Sequence, residues 1–385
     1  MLENQSHLFN LPDDITYLNC AYMSPMLRSV AEKGVHSIYR KDDPTTIKPD
    51  DFFANGRELR AEFAKLIEAD NPDQCAVIPS VSYGMATVAQ NLKAGKGDNI
   101  VFCDEQFPSN VYAWHQLAKD RGIELKMVTP PDGDERGKNW NQQLLEAIDN
   151  QTKLVSIGHV HWADGTLFDL KAIRQRTREV GAALVIDGTQ SIGAMPFSVK
   201  EFEPDAVIVA GYKWLMGPYA LGVAYYGDYF SQGQPIENNW MNRLNSENFA
   251  GLVNYQDEYQ PGSLRYEVGE SANFVLSPML TEAIKQVNAW GADNIQQYTG
   301  QLIGSYLDEL RSMGFQVESP EYRGNHLVGI RLPEHLSLES VKEYFTANRV
   351  FLSYRGNSIR IAPNVYNSTK DMDALMAGFR QKAMA

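Results

Sequence analysis

The chain from residue 75 onward repeats one unit: a short apolar run rich in valine and isoleucine, then turn residues, then a segment with helical periodicity. The seven runs are AVIP at 76, NIVFC at 99, LKMV at 125, LVSIGHV at 154, ALVID at 183, AVIVA at 206 and GVAYYG at 222. Short buried runs that alternate with helices are typical of α/β proteins. The pattern therefore predicts an α/β fold around a seven-stranded sheet.

The connections between the runs predict the strand directions. Helix candidates such as Ser109 to Arg121 and Leu170 to Val180 separate most of the runs, and crossovers of this kind join parallel strands. The last two runs are separated only by a segment with Lys213 and a Gly-Pro turn, which is too short for a crossover helix. We therefore expect one antiparallel pair in a mostly parallel sheet.

Long helices replace this pattern after about residue 265. In SPMLTEAIKQVNAWG, Ser277 is expected to cap a helix that has Pro278 at its first position and ends at Gly291. Near the end of the chain, Ser368 and Asp371 approximate a capping box. The apolar face that follows consists of Met372, Leu375, Met376 and Phe379. A single core rarely exceeds roughly 300 residues, and the chain has 385. The helical pattern after residue 265 therefore predicts a smaller second domain.

Charge and composition limit the class of partner. The net charge is -13 and no long basic run occurs, which argues against nucleic acid or an anionic membrane and favours small metabolites. The sequence shows no charged-then-apolar leader and no apolar window of about 18 residues. Cys20, Cys75 and Cys103 have no metal-ligand spacing. We expect a cytoplasmic protein without a metal site.

The stretch VIVAGYKWLMGP places one cation, Lys213, among aliphatic, aromatic and small residues. Such runs are normally buried, and an unpartnered ammonium there loses several kcal/mol of hydration. One interpretation is that the stem lies on apolar neighbours while the amine reaches water. The other is that the amine stays dry, is partly neutral and attacks a carbonyl, as Schiff-base lysines do.

A carboxylate follows the preceding strand, since ALVID ends at Asp187. Ligands of open α/β sheets bind at the carboxyl ends of the strands, although an aspartate there is also a common turn or cap residue. Together with Lys213, Asp187 matches the needs of pyridoxal phosphate: an amine for the aldehyde and an anion for the ring nitrogen. In AVIPSVSYGMATVAQNL, Ser80 and Ser82 precede a predicted helix and could be plain caps or bind the phosphate.

The segments LVIDGTQSIGAMPFSV and PDAVIVAGYKWLMGPYALGVAYYG resemble the class V aminotransferase family of pyridoxal phosphate enzymes. This family includes cysteine desulfurases, selenocysteine lyases, kynureninases and isopenicillin N epimerases, and the resemblance extends from YLNCAYMSP to SIRIAPNVYNS. It implies fold type I, with a large domain over residues 20–264 and a small α+β domain formed by residues 1–19 and 265–385. It also implies a homodimer with active sites at the subunit interface.

The resemblance assigns the cofactor-binding residues. Lys213 would bind the aldehyde, Asp187 the ring nitrogen, and Gln190 the phenolic oxygen. The phosphate would be held by Ser82, the backbone of Tyr83, and Tyr212, which replaces a common family histidine. Phe107 would stack on the ring unless it is a core residue, and in GHVHWADG either His161 or Trp162 would border the ring.

Two further positions are assigned by resemblance. Arg360, in NSIRIAP, matches the arginine that binds the substrate carboxylate, and its alternation with Ile359 and Ile361 puts it on the opposite strand face. In GESAN, Ser271 or Asn273 would reach the phosphate of the neighbouring subunit.

The chain departs from the desulfurases in one respect. Those enzymes carry a nucleophilic cysteine shortly before the carboxylate-binding arginine, whereas the sequence has no cysteine after Cys103. We therefore expect a pyridoxal phosphate enzyme of aminotransferase or β-lyase type that acts on an amino acid. The alternatives are a selenocysteine lyase or cysteine desulfurase, an amino-acid epimerase, and a relative that binds cofactor or an amino acid without turnover.

Overall fold

The computed structural model describes residues 2–133, 135–356 and 358–383. The strands are β1 (Thr16–Tyr17), β2 (Cys75–Ile78), β3 (Asn99–Cys103), β4 (Glu124–Val128), β5 (Thr152–Gly158), β6 (Ala183–Asp187), β7 (Ala206–Ala210), β8 (Gly222–Tyr226), β9 (Gln316–Val317), β10 (Val328–Arg331), β11 (Val350–Phe351), β12 (Ser353–Arg355) and β13 (Ser358–Ile361). The α-helices are α1 (Arg28–Tyr39), α2 (Asp51–Leu66), α3 (Val81–Asn91), α4 (Tyr112–Arg121), α5 (Arg136–Ala147), α6 (Leu170–Val180), α7 (Val199–Phe202), α8 (Leu276–Trp290), α9 (Ala292–Ser312), α10 (Leu338–Ala347) and α11 (Thr369–Ala383).

The main sheet contains the seven predicted strands in the order β2-β8-β7-β6-β5-β3-β4. The predicted α/β fold with a mostly parallel sheet is confirmed. The prediction of a single antiparallel pair is wrong, because β8 runs antiparallel to both β2 and β7. The short lysine segment returns the chain beside β7, and β8 is inserted between two strands instead of lying at the edge. One reversed strand therefore produces two antiparallel pairs.

Both faces of the main sheet are buried. In β7, Val207 and Val209 point into one core, whereas Ala206 and Ile208 point into the other. The first core is shared with α2, α5, α6 and α8, and the second with α3 and α4. A strand that is covered on both faces has no polar alternation, which explains the continuous apolar runs of the sequence.

A second sheet has the order β12-β13-β10-β9 and packs against α9, α10 and α11. Leu18, from the start of the chain, belongs to the same core, and β1 pairs in parallel with β11. The start and the end of the chain are therefore packed together. Helix α8 packs on the main sheet, so the boundaries 1–19 and 265–385 of the small domain stay a prediction.

The predicted helix ends are correct where local sequence decides them. Helix α6 has the predicted bounds, and α8 ends before Gly291 as expected. Helix α4 begins at Tyr112 and not at Ser109, because a 3-10 turn (Pro108–Asn110) precedes it.

The prediction that Ser277 caps α8 is wrong. The Asn273 side chain accepts the N–H groups of Val275 and Leu276 at 3.0 and 2.8 Å, so the helix begins earlier. The Ser277 hydroxyl lies inside the first turn and donates to the carbonyl of Ser271 at 2.9 Å. A residue further upstream therefore caps the helix.

Half of the predicted capping box of α11 is present. The Asp371 carboxylate accepts the N–H of Ser368 at 2.8 Å. The predicted apolar face is confirmed, because its members are all buried: Met372, Leu375, Met376 and Phe379. Within residues 2–133, 135–356 and 358–383, no helix is long and apolar enough to cross a membrane.

Helix α3 lies unusually close to the main sheet at Gly84. A Cβ atom at this position would be 2.6 Å from a methyl carbon of Ile208, so only glycine allows this approach. By contrast, a Cβ atom at Gly304 in α9 would meet nothing within 4 Å. A side chain at position 84 would therefore clash with the sheet, whereas a side chain at position 304 would not.

We expect Gly84→Ala to lower the free energy of unfolding by about 1 to 2 kcal/mol, because overpacking exceeds the gain in helix propensity. The matched variant Gly304→Ala should raise it by about 0.5 to 1 kcal/mol. Urea unfolding followed by circular dichroism measures both values. Equal effects of the two variants would show that the α3 contact does not limit side-chain size.

Candidate active site

The carboxyl ends of five parallel strands of the main sheet surround one cavity of about 320 Å³. This volume is within the range of small-molecule sites, roughly 300 to 1,000 Å³. The residues that follow the strands and line the cavity are Ser80 and Ser82 after β2, Phe107 after β3, Trp162 after β5, Asp187 at the end of β6, and Lys213 after β7. The fold therefore brings together most of the predicted site residues.

The loop that carries Lys213 is held by its own backbone. The N–H of Gly211 donates to Leu221 O at 2.9 Å, and the N–H of Gly217 donates to Gly211 O at 2.8 Å. A Cβ atom at Gly211 would be 2.6 Å from the Leu221 carbonyl oxygen, so the closure requires glycine. Met216 and Ala220 have φ values of 58° and 67°, a conformation that costs energy and often occurs at functional sites.

The Lys213 side chain is only 6% exposed and lines the cavity. Burial lowers its pKa to about 8, although the nearby Asp187 opposes this effect. Within the part of the chain that the structure describes, the amine forms no ion pair. Its nitrogen lies 5.3 Å from the ring centre of Phe107 and 5.5 Å from that of Tyr212. Of the two interpretations of Lys213, the geometry favours the dry amine.

The Asp187 carboxylate is 8% exposed and accepts the N–H of Thr189 at 3.0 Å. Burial raises its pKa, while Thr189 and Lys213 act in the opposite direction. The Thr189 hydroxyl also accepts the N–H of Ala210 at 3.2 Å and so joins the ends of β6 and β7. A buried carboxylate in this position can accept a hydrogen bond from a ring N–H group.

The N-terminus of α3 opens into the same cavity. Ser80 caps the helix by accepting the N–H of Tyr83 at 3.2 Å, and its hydroxyl lies 2.9 Å from that of Ser82. The first-turn amides of Val81 and Ser82 have no acceptor within the helix, so they are available to an anion. Tyr83 does not line the cavity, and its N–H already bonds to Ser80.

The aromatic wall of the cavity consists of Phe107 and Trp162, whose ring centres are 5.4 Å apart. The Trp162 indole donates to the carbonyl of Glu105 at 2.6 Å. His161 is buried outside the cavity lining, where its ring nitrogens lie 2.9 Å from the Asp164 carboxylate and 3.0 Å from Glu105 O. Of the two residues that the sequence left open, Trp162 lines the cavity and His161 does not.

Gln190 and Tyr212 both line the cavity. The amide of Gln190 donates to Ala21 O at 3.1 Å and accepts from the Trp214 indole at 2.9 Å. One N–H of this amide is thus used within the protein, and the second is available to a ligand. The Tyr212 ring lies 4.7 Å from that of Tyr219, which also lines the cavity.

Arg360 lies on β13, between β12 and β10, and is 1% exposed. Its guanidinium donates to the carbonyl of Trp162 and, at 3.2 Å, to the hydroxyl of Ser353. Burial and the nearby Arg355 lower its pKa to about 9. Ile359 and Ile361 point into the core of the second sheet, as the alternation predicted. Arg360 lies behind the Trp162 backbone and not in the cavity lining itself.

Ser271 is buried away from this cavity. Its hydroxyl donates to Glu267 at 2.8 Å, and Glu267 forms an ion pair of 2.7 Å with Arg60. The neighbouring candidate, Asn273, caps α8. Neither side chain points into the cavity of its own chain, because both are used in internal hydrogen bonds. Their contact with a neighbouring subunit stays a prediction.

Sequence reasoning missed Thr189 and Tyr219, which both line the cavity. Thr189 could have been found, because it directly follows the strand end at Asp187. Tyr219 lies on the lysine loop, where Ala220 has a φ value of 67° without a local sequence signal for it.

A buried amine, a buried carboxylate and a serine-capped helix N-terminus thus meet in one cavity. The aldehyde of pyridoxal phosphate requires a nucleophilic amine, its ring N–H requires an acceptor, and its phosphate requires hydrogen-bond donors, and the cavity supplies all three. The fold and the site define a pyridoxal phosphate-dependent enzyme of fold type I. Residues 50–372 match the sequence model of the family "Aminotransferase class-V". The chain belongs to this family and is an enzyme of the aminotransferase or lyase type.

Individual relatives agree with this assignment. An uncharacterized aminotransferase of Bacillus subtilis is 27% identical over 314 residues, which cover 81% of this chain and 80% of the relative. A cysteine desulfurase of Pectobacterium atrosepticum is 24% identical over 339 residues, with 84% and 81% coverage. Among solved structures, a mutant of C-DES with glycine covalently linked to its PLP cofactor has a TM-score of 0.85 at 20% identity, over 98% of this chain and 99% of that one.

The lowered pKa of Lys213 can be tested without cofactor. Competitive acetylation of the cofactor-free protein, read by mass spectrometry, should give a midpoint near pH 8 for Lys213. Lys171 serves as an internal control, because its hydrogen bond to Glu201 raises its pKa above the usual value. Asp187→Asn should shift the Lys213 midpoint to lower pH, since the carboxylate favours the ammonium. A Lys213 midpoint near that of ordinary lysine, about 10.4, would contradict the burial argument.

Proposed function

We propose that this enzyme transforms an amino acid by transamination or β-elimination, with Lys213 as the residue that binds the cofactor covalently. The observation that carries the proposal is the burial of the Lys213 amine and the Asp187 carboxylate in one cavity at adjacent strand ends, where burial lowers the pKa of Lys213 to about 8. An amine that is neutral in a substantial fraction of molecules near pH 8 is an effective nucleophile and a good proton carrier.

When bound, pyridoxal phosphate supplies an aldehyde for amino groups and a ring that withdraws electrons from the substrate. Asp187 would hold a proton on the ring nitrogen, and the N-terminus of α3 with Ser82 would bind the phosphate. Phe107 and Trp162 would limit the position of the ring and keep water away from it. The Lys213 amine would accept and return a proton at its Nζ atom.

Arg360 would bind the α-carboxylate of the substrate. Its guanidinium has two hydrogen bonds to protein oxygens and a buried Nε atom without an acceptor. A planar guanidinium binds a carboxylate with two parallel hydrogen bonds, which would satisfy the remaining donors. The contact of Arg360 with the Trp162 backbone links substrate binding to the cavity wall.

Desulfuration through an enzyme persulfide is the second candidate, because relatives such as the Pectobacterium protein are named cysteine desulfurase. Persulfide formation requires an accessible thiolate. Cys20, Cys75 and Cys103 are fully buried, and burial raises the pKa of each thiol. We therefore favour release of sulfide or selenide by elimination if a cysteine-like substrate is used. Epimerisation and binding without turnover are alternatives that product analysis distinguishes.

The functional unit is proposed to be a cytoplasmic homodimer. Tyr219, which lines the cavity, is 66% exposed, and Tyr22 near it is 58% exposed. Val35, Ile38 and Tyr39 form an exposed apolar face on α1. Exposed apolar patches of this kind are typical of interfaces. Sedimentation as a single chain at micromolar concentration would exclude the dimer.

Borohydride reduction tests the proposed role of Lys213. Reduction of the holoenzyme should fix the cofactor on the peptide that contains Lys213, and Lys213→Ala should lose this label completely. The exposed Lys200, which pairs with Asp70, provides the control, and Lys200→Ala should be labelled like the wild type. The label is read by absorbance and peptide mass. A label on any other lysine would exclude the assignment.

The sulfur chemistry is tested by replacing the cysteines. Turnover of the C20S/C75A/C103A variant on cysteine-like substrates should stay within about threefold of the wild type if no thiol takes part, because barrier changes below about 0.7 kcal/mol correspond to this ratio. Folding is checked by circular dichroism. A persulfide on one of these residues, together with loss of activity when that residue alone is replaced, would establish desulfuration instead.

A further inference from the structure

A second arginine, Arg355, lies beside the proposed substrate-binding residues. Its guanidinium carbon is 5.1 Å from the centre of the Trp162 ring. On the same strand, β12, Ser353 accepts the hydrogen bond from Arg360 at 3.2 Å. Arg355 itself is half-buried, and among the described residues its side chain donates to the carbonyl of Tyr354 at 2.7 Å.

Arg355 and Arg360 both have a buried Nε atom without an acceptor and no carboxylate partner among the described residues. In the described residues, the arginines with a buried Nε atom that lacks an acceptor are Arg60, Arg174, Arg355 and Arg360. Arg60 is paired with Glu267 at 2.7 Å and Arg174 with Asp205 at 2.9 Å. Within residues 2–133, 135–356 and 358–383, Arg355 and Arg360 therefore combine an unsatisfied Nε with the lack of a carboxylate partner.

Neither the cofactor nor a simple amino acid satisfies both arginines. The cofactor's anion is assigned to the N-terminus of α3, and Asp187 is assigned to the ring nitrogen. An amino acid with a neutral side chain offers one carboxylate, which Arg360 would bind. Like charges that are withdrawn from water repel each other and remain costly unless an anion pairs with each. A further anionic group at Arg355 would offset this charge and supply an acceptor for its Nε atom.

Two aromatic rings of the cavity wall, Phe107 and Trp162, lie between Lys213 and Arg355. The Lys213 nitrogen is 5.3 Å from the Phe107 ring, which lies 5.4 Å from the Trp162 ring, on which Arg355 stacks. A substrate with its amino group near Lys213 can therefore extend along the two aromatic rings toward Arg355. Arg355 does not line the cavity itself, but it is half-buried, so part of its side chain is accessible to solvent.

We propose that the substrate is an amino acid with a second anionic group, and that Arg355 binds this group while Arg360 binds the α-carboxylate. The inference rests on the proposed function. Carboxylate, sulfonate and phosphonate all match a guanidinium, so the shared chemistry is an anion at the end of a short side chain.

Amine-free analogues test the proposal independently of turnover. Isothermal titration calorimetry on the holoenzyme compares succinate, 3-sulfopropanoate and 3-phosphonopropanoate with the monoanion succinamate. At least one of the three should bind about 10- to 100-fold tighter than succinamate, as expected for one charge-assisted contact. The tightest of the three identifies the preferred anion.

Variants separate recognition from a structural role. Arg355→Gln should abolish the preference for the second anion and leave succinamate affinity within about threefold, while Arg355→Lys should keep part of the preference because the charge remains. Arg349→Gln is the control, since this exposed arginine of the same region pairs with Asp14. Circular dichroism and cofactor absorbance verify folding and loading.

Two results would overturn the proposal: wild-type enzyme that binds no dianion tighter than succinamate, or a preference that persists in Arg355→Gln. Neither result bears on the covalent role of Lys213, which borohydride labelling decides. Conversely, loss of that role would leave the binding comparison interpretable, because the analogues carry no amino group.

Discussion

The burial of the Lys213 amine next to the Asp187 carboxylate is the interaction on which the rest of the site depends. Adjacent parallel strands, β6 and β7, deliver the two groups to the same edge of the sheet. Burial lowers the pKa of the amine and raises that of the acid, because it disfavours the charged form of each group. The amine can therefore react with an electrophilic carbon, and the carboxylate can accept a hydrogen bond from a ring N–H group.

The loop after β5 connects this pair to the second sheet. Its Trp162 carbonyl accepts from Arg360, and its Asp164 carbonyl accepts the N–H of Gly329 at 2.9 Å. The Asp164 side chain also contacts His161 at 2.9 Å and Arg136 at 3.1 Å; although burial opposes its ionisation, these two partners hold its pKa well below the usual value. His161 thus fixes the loop that carries the cavity wall, which gives this buried histidine a positioning role.

The charge near the cavity differs in sign from that of the whole chain. The net charge is -13, but Lys213, Arg355 and Arg360 lie around Trp162, and both arginines lower the pKa of Lys213. Such a local positive field attracts anions to the site against the overall repulsion. An anion bound at the two arginines would reduce their effect on Lys213 and so raise the pKa of its amine.

The seven main strands and helix Leu170–Val180 could be predicted from the sequence alone, and so could the placement of Lys213, Asp187 and Arg360 at or near strand ends. Apolar runs, turn residues and a charge at a strand end are local signals. A continuous apolar run already indicates a strand that is buried on both faces of the sheet. The position of β8 between β2 and β7 became visible in the assembled fold, as did the fact that Trp162 and not His161 lines the cavity. The partner that orients the Trp162 indole, Glu105, is 57 residues away in sequence, and Arg355 meets Trp162 from another sheet. Contacts of this kind exist only after the strands have assembled, so no short sequence pattern specifies them.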